Sequence, residues 1–108
     1  MVIVTTILFN KSKMYGMERH IETFPPVPSY INMMGPYIKN IKFKRGIQTI
    51  QMFEFDESRL DEARDFINDR MLIYKDMADL TYSVELWLSV EDVLNMAGLE
   101  RGQYYATA

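Results

Sequence analysis

The chain has 108 residues, 48% of them hydrophobic and 25% charged, with 12 basic against 15 acidic side chains, no cysteine and one histidine. That is enough for one domain with its own core, and it excludes disulfides, thiolate zinc sites, cysteine nucleophiles and any multi-histidine metal centre within one chain. A formal charge of −3 speaks against a nucleic-acid partner, because phosphate binding needs a basic surface.

The opening "MVIVTTILFN" is apolar but lacks a basic leader and a small-residue cleavage site, so it is expected to be a strand rather than a signal peptide. Apolar side chains on both of its parities predict a central strand covered on both faces. No other apolar run approaches the roughly 20 residues that span a bilayer, so a soluble cytoplasmic protein with no membrane partner is expected. Residues 11 to 24 are irregular, with a short helical turn expected over Met17 to Thr23. "PPVPSYINMMGPYIKN" follows, where prolines suit a first helical turn and Val27, Tyr30, Ile31 and Met34 keep helical spacing. A helix near 26 to 34, capped at Gly35, is predicted.

Residues 40 to 46 put Ile41 and Phe43 on one side and Lys42 and Lys44 on the other. This predicts an edge strand whose basic run, Lys39, Lys42, Lys44 and Arg45, is solvated and discourages unwanted pairing. Gly46 supplies a turn, and "IQTIQMFEF" returns as the antiparallel partner. From Ser58 to Met77, Leu60, Ala63, Phe66, Ile67, Met71, Tyr74 and Met77 recur at three and four. An amphipathic helix over 58–77 follows, with Ser58 and Asp61 resembling a capping box. "TYSVELWL" is the fourth strand, and "SVEDVLNMAG" a short helix capped by Ser89 and stopped by Gly98. Residues 1–98 thus form a single domain, and 99–108 a tail without a clear pattern.

The order strand, helix, strand, strand, helix, strand predicts an α+β, ferredoxin-like βαββαβ domain with sheet order 4-1-3-2 and its helices on one face. Tyr82, Val84, Leu86 and Leu88 are expected under the helices. The other face then receives Trp87, aliphatics of strand one, and either Ile50 and Met52 or Phe53 and Phe55. Apolar surface left wet costs about 25 cal/mol per Å², so a second copy packed sheet to sheet is the expected cover.

On this element order, with "MMGPYIKNIKFKRG" and "TIQMFEFDESRLDEARDF", the chain resembles the dimeric α/β-barrel superfamily, closest to its small uncharacterised or monooxygenase-like members. The resemblance spans about residues 2 to 95 and implies a homodimer with a small-molecule site between the sheets. Haem-degrading members are understood to use a histidine on the second helix as iron ligand. "SRLDEARDFINDRMLIYKDM" has none, so haem degradation is set aside and no cofactor or metal is expected.

Two functions fit this frame. One is a homodimeric module that binds a small apolar or aromatic molecule. The other is a cofactor-independent monooxygenase or isomerase acting on a small aromatic or polyketide-like compound. Glu85 is the candidate base, since burial raises a carboxyl pKa toward the range a general base needs. His20 is the second acid–base candidate, by residue type. Glu54, Trp87, either Thr5 or Thr6, and Tyr15 and Arg19 from the loop after strand one are the candidate binding residues. No phosphate loop or nucleophile elbow is present.

Overall fold

The computed structural model describes residues 1–13, 24–41 and 46–98. The helical turn expected over Met17 to Thr23, the side chains of Lys42, Phe43, Lys44 and Arg45, and the tail 99–108 lie outside the described residues. The strands are β1 (Val2–Asn10), β2 (Asn32–Ile41), β3 (Gly46–Glu54) and β4 (Leu80–Trp87). Between β3 and β4 runs helix α1 (Leu60–Met71), and α2 (Val90–Met96) follows β4. The class is α+β, and all four strands form one antiparallel sheet in the order β2-β3-β1-β4.

The first predicted helix is corrected. Residues 25–28 are without regular structure, a turn occupies 29–30, and Asn32 to Met34 already pair with Glu54 to Met52. Three prolines in "PPVP" bias each preceding residue toward extended backbone, and this outweighs the helical spacing of Val27, Tyr30 and Ile31. The apolar side chains of that segment still reach the core, with Ile31 buried and Val27 and Tyr30 packed against it.

Strand two therefore begins eight residues earlier than its expected start at Asn40. It holds one extra residue between Met34 and Tyr37, which face Met52 and Ile50. Gly35 makes this bulge possible, because its φ is +96° and a Cβ there would stand 3.0 Å from the Ile50 carbonyl oxygen. Gly46, expected in a turn, is instead the first residue of β3 and pairs with both Asn10 and Ile41.

The second helix is shorter than the predicted 58–77. It is α-helical over 60–71, flanked by 3-10 turns at Glu57–Arg59 and Leu72–Tyr74. The expected cap at Ser58 is supplied two residues earlier by Asp56. Its Oδ1 accepts from the Ser58 N–H at 2.9 Å and the Ser58 hydroxyl at 2.8 Å, and these bonds hold its carboxyl below the usual value. The cap of α2 is as expected, with Ser89 Oγ accepting from the Asp92 N–H and Asp92 Oδ2 from the Ser89 N–H. Gly98 follows with φ +69°.

The core lies on the α1 side of the sheet. Ile3, Ile7 and Phe9 of β1 and Ile47 and Phe53 of β3 are buried with Ala63, Ile67 and Met71 of α1 and with Tyr74 beyond it. Burial is deepest on β1 and at Ile47 and Phe53 of β3, is partial at Thr49 and Gln51, and falls away at both edges. Tyr82, Val84 and Leu86 share this side, as expected, yet remain substantially exposed, as do Met33 and Ile38 on β2. Leu88 falls just past the end of β4. No helix among the described residues is long and apolar enough to cross a membrane.

Candidate functional site

The sheet's other face is set by strand register. Because side chains alternate, Val2, Val4, Thr6 and Leu8 of β1 point away from α1, and the paired residues of every neighbouring strand point with them. Across the sheet from β4 to β2 this gives a row of Trp87, Val2, Glu54 and Asn32. The next two are Glu85, Val4, Met52 and Met34, then Ser83, Thr6, Ile50 and Tyr37. The middle of the face is aliphatic and thioether. Its flanks carry two large aromatic rings, Trp87 at 58% exposure and Tyr37 at 56%.

The register resolves both choices that alternation left open. Ile50 and Met52, not Phe53 and Phe55, share the face with Trp87; Phe53 and Phe55 are core. Thr6, not Thr5, lies on this open face. Thr5 is buried beneath α1 at 1% exposure, and its hydroxyl has no hydrogen-bond partner.

Glu54 and Glu85 do lie on one face, but on different rows. Two interstrand spacings and a two-residue offset put their backbones about 12 Å apart. Such carboxylates do not share a proton; they suit opposite ends of a ligand. Both are exposed in the single chain. His20, Tyr15 and Arg19 lie outside the described residues.

An open cleft of about 990 Å³ lies at one end of the sheet, where Glu54, Asp56, Glu57, Glu91 and Asp92 meet Asn32. Two of these acids are committed to the fold. Asp56 caps the first turn before α1. Asp92 is held below the usual carboxylate value by the Ser89 N–H first, and it also pairs with the Met1 ammonium at 3.0 Å. Among the described residues no group of three or more acids and histidines is arranged to hold a metal ion. The cleft borders the open face through Glu54 and Val2.

One buried charge escaped the sequence reading. Arg70 is 6% exposed, on the same stripe of α1 as Ala63 and Ile67. Burial lowers its pKa, and burial also pushes the Tyr74 hydroxyl up to about 12, which keeps that proton in place. The signal was available: three residues past Ile67 and four before Tyr74, position 70 belongs to the core stripe and not to the wet one.

No protein-family profile matches the chain, and no curated protein is similar to it. Among solved structures, the de novo designed protein Foldit4 is similar over 81% of this chain and 98% of its own, at 9% identity and a TM-score of 0.42. A likeness that slight bears on neither family nor function.

Proposed function

We propose that the chain is one half of a homodimer of the dimeric α/β-barrel kind, a ferredoxin-like domain whose open sheet faces its twin around a small apolar or aromatic molecule. The observation that carries this reading is the open face itself: Val2, Val4, Ile50, Met52, Met34, Tyr37 and Trp87 on one side of a sheet whose core lies wholly on the other. Burying such a surface against a second copy returns about 25 cal/mol per Å² of apolar area. A symmetric partner covers both copies at once. The sheet order, read from its β4 edge as 4-1-3-2, supports the ferredoxin-like part. The missing helix before β2 among the described residues is the departure from it. A cytoplasmic setting fits a chain without cysteine.

Glu85 favours a second reading, a cofactor-independent monooxygenase or isomerase on a small aromatic or polyketide-like compound. It sits beside Val4, one row from Trp87. Covered by a partner's sheet, it would become a desolvated base facing the bound molecule.

Sedimentation at micromolar concentration tests the dimer, and a stable monomer counts against it. Trp87 fluorescence tests the ligand: quenching by aromatic compounds that survives Glu85→Gln favours the binding module. Quenching or turnover lost in that variant favours the enzyme. No response to any compound from a dimeric protein leaves an interface packed solid.

A further inference from the structure

The two edges of the sheet are finished differently. β2 carries the bulge at Gly35 and Pro36 and, beyond it, Lys39, devices that keep an edge strand from pairing further. β4 runs for eight residues with no bulge against β1, no proline and no lysine. Among the described residues β1 is its one partner strand, and every residue from Thr81 to Trp87 is exposed. Glu85 is its single charge.

The ladder fixes where the backbone of β4 points. The Phe55 N–H donates to the Met1 carbonyl at 3.0 Å, and the Met1 ammonium donates to the Phe55 carbonyl at 3.2 Å. Such doubly bonded pairs recur at every second residue of an antiparallel ladder, so the odd-numbered residues of β1 bond to β3. Its even-numbered residues, Val2 to Leu8, bond to Trp87, Glu85, Ser83 and Thr81 on the other side. Tyr82, Val84 and Leu86 are left with N–H and C=O groups aimed out of the sheet's edge, and their exposed side chains stand on the α1 side.

We propose that this edge pairs antiparallel with β4 of a second copy, about a two-fold axis at Val84 perpendicular to the sheet. Any extended segment satisfies the outward backbone, but the second copy also matches it side chain for side chain. Val84 meets its own twin and Tyr82 meets the second copy's Leu86, each pair exchanging two backbone bonds and joining the apolar rows into one. On the open side Ser83 meets Glu85, a hydroxyl against a carboxylate, and Thr81 meets Trp87. An axis at Glu85 sets two carboxylates face to face, and an axis nearer Leu80 shortens the overlap. The contact lies on the rim of the sheet and leaves Val4, Ile50 and Met52 of the open face free, so it goes beyond the face-to-face dimer and joins such dimers into fours. A strand pair alone falls below the roughly 1,200 Å² of a standard interface, which sets its formation at submillimolar rather than micromolar concentration.

The test is amide hydrogen exchange on the full chain at micromolar and at submillimolar concentration. The N–H groups of Ser83 and Glu85, bonded to β1, are expected to exchange slowly in both samples. Those of Tyr82, Val84 and Leu86 are expected to slow severalfold in the concentrated one, and the Hα atoms of Ser83 and Glu85 to meet between isotopically labelled and unlabelled copies. Ile50→Lys, which disrupts the face-to-face contact, should keep this alternating pattern, so failure of that dimer and failure of the edge contact are read separately. Val84→Pro deletes an outward N–H and no bond to β1; it should leave the fold intact by circular dichroism and remove the concentration dependence at Tyr82 and Leu86. Tyr82, Val84 and Leu86 amides that exchange freely in both samples overturn the proposal. Equal protection in both, without the Ser83 to Glu85 contact between copies, means that the chain covers this edge itself and overturns it too. Should Val84→Pro fail to fold, the concentration dependence and the contact between copies in the unaltered chain decide.

Discussion

On β1, Ile3 and Ile7 are 2% and 3% exposed, while Val2, Val4, Thr6 and Leu8, which alternate with them, stay half-buried. Neighbours in sequence thus belong to two differently finished surfaces. One is closed by the chain's own helix and packed around Phe53. The other is equally aliphatic in the middle but is rimmed by exposed aromatic and acidic side chains. The difference teaches that hydrophobicity alone does not identify a core: what separates the two faces is whether α1 reaches them.

The sharpest way to break that contrast is to hollow the closed face. Phe53→Ala should cost about 3–5 kcal/mol in urea unfolding, since Phe53 is fully buried at the centre of the core. Ile50, three residues away on the opposite face of the same strand, should behave otherwise. Ile50→Lys is expected to shift monomer stability by less than about 1 kcal/mol while abolishing the proposed dimer in sedimentation. An equal loss of stability in both variants would mean the open face is core after all.

Thr5 gives a smaller effect of opposite sign. Its buried hydroxyl has no partner, so Thr5→Val should stabilise by about 1 kcal/mol in thermal or urea unfolding. Beyond the two faces, Ser89→Ala removes the side-chain half of the cap on α2, the bond from the Asp92 N–H to Ser89 Oγ, and should cost about 1 kcal/mol.

The smallest effect is one of pH. Asp92 has a folded pKa below the 3.8 of the free side chain, so its contribution is fully present above that value and is lost as pH falls through the lower folded one. Asp92→Asn should therefore flatten the acid limb of a stability profile below about pH 4 and leave its shape unchanged from pH 5 to 7.

Much of this architecture was legible in the residues. The spacing from Leu60 to Met71 gave α1, the alternation through "TYSVELW" gave β4 and its parity, and the Ser89 cap and Gly98 stop bounded α2. These signals are local. β2 was not legible, because Met33 and Met34 take their partners, Phe53 and Met52, from nearly twenty residues downstream. Within their own neighbourhood they fall at helical spacing as readily as at strand spacing. The cap at Asp56 was missed because two hydroxyl-bearing and acidic candidates stand side by side, and only the entry of the chain into the 3-10 turn chooses between them. Of the candidate site, alternation placed Glu85 and Trp87 together and left Thr5 or Thr6 undecided. Register against β3 and β4 made that choice.

The extra residue at Gly35 and Pro36 also works as a phase switch for its strand. Before it, even-numbered side chains, Asn32 and Met34, face away from α1; after it, odd-numbered ones, Tyr37 and Lys39, do so. Were the same residues to run in regular alternation without the bulge, they would swap, turning Tyr37 and Lys39 inward and Ile38 and Asn40 outward. A single glycine whose backbone no other residue tolerates well thereby decides which aromatic ring the far edge of the sheet displays.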